Sequence, residues 1–221
     1  MKIAIIGFGK MGKLIAQHAK ERGHEILLKT NSNLPFEECD LKGVDVAIDF
    51  STPKTAFNNI SHALRNKIPI ISGTTGWLEK MKEIKKLCIQ YDGAFLYASN
   101  FSIGVNIFFK INLELAKLMK AKNYSTTISE THHIEKLDAP SGTAKTLAND
   151  IFNELTITPN ITSHRKKNKI GTHEVQYDSL IDNIKITHQA KNRDGFVLGA
   201  LIAAEWIIDK KGVFNIQDIL K

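Results

Sequence analysis

Apolar and polar positions follow two alternating rhythms over the first hundred residues. Short apolar runs at Lys2 to Ile6, His24 to Lys29, Val44 to Phe50, Ile68 to Ile71 and Ala94 to Ala98 read as strands. Between them the spacing is helical. Lys10 to Arg22 places Met11, Leu14, Ile15 and Ala19 on one face, and a second helix carries Ala56, Ile60, Ala63 and Leu64. That second helix opens at Thr52-Pro53, with threonine as N-cap and proline at the first position, where no N–H is needed. A third spans Trp77 to Tyr91. Strands separated by helices of this length predict an α/β unit: a parallel sheet with helices on both faces.

Past Asn100 the rhythm changes. Ile103 to Lys120 predicts a long helix, Tyr124 to Glu130 an alternating strand, and Ser141 to Leu155 an amphipathic helix. Asn160 to Lys169 reads as polar loop, Gly171 to Tyr177 and Asn183 to Ala190 as strands, and Phe196 to Ile208 as a last helix before a short tail. This segment is α+β, so two structural units are expected, with the change near residues 101 to 105.

Composition narrows the class. At 221 residues the chain can bury one core or two small ones, and 43% hydrophobic with 24% charged residues excludes a disordered or fibrous protein. No run approaches the roughly 20 apolar residues of a membrane span, and Met1 to Ile6 is not expected to act as a signal peptide. Cys39 and Cys88 stand apart with no metal-type spacing, which fits a reducing cytoplasm. The net charge of +7 admits an anionic ligand, a nucleic acid or a lysine-rich solvated surface. Arg165 to Lys169, the dense basic run, has no interleaved aromatic residues for base stacking; it is expected to decorate a loop, with no nucleic-acid partner.

Gly7-Phe8-Gly9-Lys10-Met11-Gly12 fits GxGxxG where the chemistry requires it, after a strand and at the start of a helix. Gly7 permits the turn, Gly9 lets the backbone approach a pyrophosphate, and Gly12 lets helix and strand pack closely. The helix N-terminus then offers N–H groups and positive dipole to the phosphates. The acid usual about 20 residues on is replaced by Asn31, which can bond a ribose hydroxyl without repelling a 2′-phosphate. Lys29 and Ser32 stand nearby, so NADPH is expected to serve at least as well as NADH. Asp49-Phe50-Ser51, Gly73-Thr74-Thr75 and Ala98-Ser99-Asn100 end other strands at the same predicted edge. Each alone is ordinary turn chemistry; together they suit a ligand.

The segment Glu130-Thr131-His132-His133-Ile134-Glu135-Lys136-Leu137-Asp138-Ala139-Pro140-Ser141-Gly142-Thr143-Ala144 leaves a strand and enters a helix. Ser141 is a natural N-cap, and Gly142 and Thr143 offer first-turn N–H groups to a carboxylate. With His132, His133 and Lys136 close upstream, an electropositive pocket for a dianion is expected, able to supply a proton while hydride arrives from a cofactor. His-His-x-x-Lys lacks the partners of a zinc site, so no metal is expected.

This signature resembles that of the 4-hydroxy-tetrahydrodipicolinate (dihydrodipicolinate) reductases, and the resemblance extends to the glycine loop, Asp49-Phe50-Ser51, Gly73 to Gly76, Ala98 to Asn106 and His188 to Trp206. It implies a Rossmann domain of residues 1–103, completed by 194–221, and a smaller α+β substrate and oligomerisation domain, 104–193. It further implies reduction of a cyclic dicarboxylate with NADH or NADPH by a homotetramer. By the resemblance His132 is proton donor and acceptor and Lys136 proton donor, while His133, Ser141, Gly142 and Thr143 hold the substrate. Gly7 to Gly12, Asn31, Gly73, Thr74, Thr75, Tyr97, Ala98, Ser99 and Asn100 hold the cofactor. A dinucleotide-binding sensor is the reading from another class; the paired acid and carboxylate clamp speak for the enzyme. Asn31 departs from the family pattern, as does a short stretch between Ile157 and His188.

Overall fold

Lys2–Ile6 (β1) sets four apolar side chains in succession, all buried, with Ile3 and Ile5 in one cluster and Ala4 and Ile6 in another. Such a strand belongs in a sheet covered on both faces. The computed structural model describes residues 1–220, and their contacts form two units: Met1–Ile103 with the segment from Asp194 onward, and Gly104–Arg193.

In the first unit β1 pairs in parallel with Glu25–Thr30 (β2) and Val46–Asp49 (β3), followed by Ile70–Ser72 (β4) and Ala94–Tyr97 (β5). Lys10–Glu21 (α1) covers the Ile3 and Ile5 face; Pro53–Arg65 (α2) and Met81–Gln90 (α3) cover the other. The order β2-β1-β3-β4-β5 reverses direction between β1 and β3, so the loop after β1 opens at the switch point of a Rossmann-like sheet. The chain returns here through Asp194–Ile207, a largely buried helix packed beside α1. The tail then supplies a strand at the β5 edge, Gly212–Asn215, that the sequence pattern did not reveal. Its apolar stretch is too short to show a period, and the free edge of β5 decides its conformation.

The second unit joins Ile103–Met119 (α4), Ser125–His132 (β6), Gly142–Leu155 (α5), Asn160–Arg165 (β7), Gly171–Asp178 (β8) and Asn183–Ala190 (β9). The sheet order is β7-β6-β8-β9, with β6 and β7 parallel and the other pairs antiparallel. β7 corrects the loop expected over Asn160 to Lys169. Asn-Ile-Thr-Ser-His-Arg lacks an apolar face because it is an edge strand, and its backbone is satisfied by β6. β6 also runs two residues beyond its expected end, through His132.

One face of this second sheet is buried along β6 and β8. Ile128, Val175 and Tyr177 pack with Leu147 and Ile151 of α5 at one end, whereas Glu130, His132 and His173 lie at the other. The same alternation therefore builds an apolar core and, farther along, a buried polar cluster. Among the described residues no helix is long and apolar enough to cross a membrane.

The helix from Asp194 packs against residue 101 without room to spare: a Cβ at Gly199 would overlap the Phe101 carbonyl. Gly199→Ala is expected to cost about 2 kcal/mol and lower Tm by roughly 5 °C in thermal melts. An unchanged Tm would contradict this packing.

Candidate active site

The glycine loop shows why only some of its glycines serve the fold. Gly7 has φ +87° and, like Gly12, lies against backbone that a Cβ would strike; Gly9 faces open space. Gly9 caps α1 without a side chain, and the first turn carries no acidic residue. The first helical bond reaches Gly9 O from Lys13, so the N–H groups of Lys10, Met11 and Gly12 stay available to an anion. A cleft of about 360 Å³ is bounded by Gly9, Lys10, Met11, Phe50, Ser51, Pro53, Gly73, Thr74 and Thr75. These residues fit a dinucleotide: donors, a dipole and open space converge at one strand edge.

Asp49, fully buried at the end of β3, fixes that edge. Its carboxylate accepts from Ser72 Oγ at 2.7 Å and Thr74 Oγ1 at 2.8 Å, and Thr74 Oγ1 accepts from Ser51 N at 2.9 Å. Burial raises the Asp49 pKa, with the hydrogen bonds opposing. Trp77 is not in a helix as expected; it is buried before the 3₁₀ turn Leu78–Lys80 and donates Nε1 to Thr74 O at 2.7 Å.

The other expected cofactor residues stand apart from the cleft. Phe8 donates its N–H to Thr30 O and lies under Lys29, whose Nζ is 5.0 Å from the ring centre. Asn31 is exposed after β2, its Oδ1 accepting from Asn33 N at 2.8 Å. Tyr97 lines a different hollow between α3 and the tail strand. Ala98 is buried and bonded to Ser72 O, Ser99 is exposed, and Asn100 Oδ1 accepts from Ser102 N.

In the second unit, strand register assembles the polar cluster. Glu130 and His132 alternate onto one face of β6; Glu130 lies opposite His173 on β8 and beside Ser163 on β7, while His132 lies beside Arg165. Glu130 is fully buried. Its two oxygens accept from Ser141 N at 3.1 and 3.2 Å, and Oε1 also accepts from Ser163 Oγ at 2.7 Å. Oε2 lies 3.5 Å from His132 Nδ1 and 3.8 Å from His173 Nε2, and Arg165 Nη2 is 3.5 Å from Oε1. Burial works to raise the Glu130 pKa, but hydrogen bonds from Ser141 and Ser163 and the His132 charge bring it below the usual value.

The loop after His132 is anchored by the same residues. Arg165, expected to decorate a loop, ends β7 and donates to the carbonyls of Lys136 and Asp138. Lys136 Nζ pairs with Asp138 Oδ1 at 2.7 Å. Ser141 caps α5 by accepting from Ala144 N and lies 3.2 Å from His173 Nε2. The N–H groups of Gly142 and Thr143 have no partner among the described residues, so the α5 terminus offers two donors to an anion.

The expected cationic pocket is corrected in one respect. Burial holds the His132 imidazole below its ordinary pKa despite Glu130, and its neighbour His173 is pushed down to about 4, chiefly by burial. The imidazoles are predominantly neutral at pH 7, and the fixed positive charges are Lys136 and Arg165. His133 borders a separate cleft of about 470 Å³ with Lys167, Lys169 and Arg193, its Nδ1 3.0 Å from Glu135. From sequence, Glu130 and Arg165 were given no role in the site, and His173 and Arg193 were not named. The alternation in Tyr124 to Glu130 carried a usable signal, since it puts a glutamate on the buried face.

Family models for the dihydrodipicolinate reductase N-terminus and C-terminus match residues 1–101 and 104–220. A 4-hydroxy-tetrahydrodipicolinate reductase of Christiangramia forsetii is 45% identical over 233 positions, covering 100% of this chain and 98% of the relative. One of Staphylococcus aureus is 32% identical, with both chains covered completely. The solved dipicolinate-bound dihydrodipicolinate reductase of a Paenisporosarcina species superposes with a TM-score of 0.79 at 22% identity, covering 99% of each chain.

The depressed His173 pKa has a signed consequence. A folded value near 4 against an ordinary 6.5 stabilises the fold fully above pH 6.5 and is lost as pH falls toward 4. Stability is expected to drop across that window by up to roughly 3 kcal/mol, measured by denaturant titration. His173→Leu should flatten the slope, and an unaltered slope would contradict the assignment.

Proposed function

This chain belongs to the dihydrodipicolinate reductase family, and from that membership we infer that it reduces 4-hydroxy-tetrahydrodipicolinate to tetrahydrodipicolinate in diaminopimelate and lysine biosynthesis. Water leaves the ring while a hydride and a proton enter. NADH or NADPH, when bound, supplies the hydride. The glycine cleft, with its free helix N–H groups, supports binding of the pyrophosphate by Gly9, Lys10, Met11 and Gly12, and Thr74, held by Asp49, lies beside it with Thr75.

The observation that carries the reading is the union of an imidazole with an open helix N-terminus around Glu130. Gly142 and Thr143 N–H groups would take one substrate carboxylate, with Ser141 ordering their turn; the family signature gives His133 a further part in holding the substrate. Withdrawing electron density through the carboxylates makes the ring a better hydride acceptor. His132 would exchange the proton, and Lys136, on release from Asp138, would act as the second donor. The dipicolinate bound to the Paenisporosarcina relative is a planar dicarboxylate of the kind this terminus suits.

No metal enters this chemistry. Glu130, His132 and His173 each bring one ligand atom within 4.8 Å, but the Glu130 oxygens already accept protein hydrogen bonds beside the Arg165 cation. A homotetramer in the cytoplasm forms part of the same proposal; the exposed Leu180 and Ile181 beside edge strand β9 support self-association. No nucleic-acid or membrane partner is proposed.

A coupled assay that forms the unstable substrate from pyruvate and aspartate semialdehyde, followed by NAD(P)H absorbance, tests the reading. The wild type should consume cofactor; substrate-independent absorbance would overturn the activity. His132→Ala and Lys136→Ala are each expected to lower kcat by about 10²-fold, and His133→Ala mainly to raise KM.

Cofactor binding has its own check. Gly9→Ala should leave Tm unchanged, because its Cβ meets nothing, yet weaken NAD(P)H in fluorescence titrations by ~10-fold or more. With Asn31 in place of an acid, kcat/KM for NADPH should equal or exceed that for NADH. A strong NADH preference contradicts this assignment.

A further inference from the structure

Glu130 is fully buried and can touch neither solvent nor, by its position beneath the N-cap of α5, the ring that the Gly142 and Thr143 donors would hold. Its hydrogen bonds nevertheless reach every part of the second unit's chemistry. Ser141 N begins the turn that offers the two donors, Ser163 Oγ ties in β7, and Arg165 carries the strap onto the carbonyls of Lys136 and Asp138. Oε2 faces His132 Nδ1 at 3.5 Å, a ring atom with no hydrogen-bond partner among the described residues.

Resting on the reading above, we propose that Glu130 is a positioning residue that holds the His132 imidazole and the α5 N-terminus in one frame, with His173 as its neutral brace. His173 stands edge-on to His132, ring centres 4.9 Å apart, and its Nε2 meets Ser141 Oγ at 3.2 Å. It therefore contacts both the proton-exchanging ring and the cap of the carboxylate-binding helix. A single carboxylate thus couples substrate grip to proton delivery. Loosening such a frame by about 1 Å can cost about 10²-fold in rate without removing any reacting group.

The frame also sets the charge state of His132. The groups facing that ring are Glu130 on its own strand, Lys136 and Asp138 on the following loop, Arg165 on β7, and His173 on β8 with His188 behind it on β9. Glu130 and Asp138 favour the imidazolium; Lys136 and Arg165 oppose it, as does burial. Removing the Glu130 charge while keeping its shape must therefore make His132 lose its proton at lower pH.

Glu130→Gln is the test, read in the coupled assay across pH with a thermal melt to establish folding. The expected result is a kcat at least ~30-fold lower, a raised KM, and an alkaline limb of kcat displaced to lower pH. A folded variant with wild-type kinetics overturns the proposal, and so does a lowered kcat with an unmoved limb, since that reports only general damage. If the variant does not fold, His173→Leu decides. Its KM should rise by about 10-fold through loss of the Ser141 contact, with partial recovery in His173→Gln, which retains a hydrogen-bonding group. An unchanged KM in His173→Leu overturns the frame. Failure of the wild type to turn over would instead strike the activity itself, so the two outcomes are separable.

Discussion

A buried carboxylate must find donors or lose its charge, and the second unit is arranged around how Glu130 meets that constraint. Three strands and one helix start contribute: Ser163 from β7, Glu130 itself from β6, His173 from β8, and the backbone N–H of Ser141. Residues around this carboxylate have second tasks close by. Ser141 caps α5, Arg165 holds the loop bearing Lys136, and His132 shares the face of β6. Satisfying one negative charge therefore orders an imidazole, a lysine loop and an open helix end together.

The first unit solves a similar problem with a different outcome. Asp49 is equally buried at a strand end, and it too gathers a loop through Ser72 and Thr74. Its donors are hydroxyls and a side-chain amide with no nearby cation, so burial prevails and its pKa rises. At Glu130 the hydrogen bonds from Ser141 and Ser163, with the His132 charge, outweigh burial, so its pKa falls. Burial and partners oppose each other at both sites; burial prevails at Asp49 and the partners prevail at Glu130. One carboxylate organises neutral donors beside the glycine cleft; the other is held toward its charged form beside His132 and Arg165.

The strands β1 to β5, the glycine loop and the amphipathic helices were legible because burial on one face or two leaves a periodic trace. The edge strands were not. Asn160–Arg165 has no apolar face, and Gly212–Asn215 is too short for a period; each is extended because a neighbouring strand offers an unpaired edge. The chemical segment was recognisable from His132, His133, Lys136 and Ser141 to Thr143, but its environment was not. His173 reaches it only through antiparallel pairing of β6 with β8, and Arg165 only through parallel pairing with β7. Such register depends on the whole sheet. Without it His132 looked cationic, whereas burial holds its pKa, like that of His173, below the ordinary value.

The most direct measurement is a titration of the protein with pyridine-2,6-dicarboxylate, followed through the backbone amide resonances of Gly142 and Thr143. The account predicts that both amides shift strongly and saturate together with the His132 ring signal, because one frame holds all three. Saturable binding that leaves Gly142 and Thr143 unmoved would contradict it.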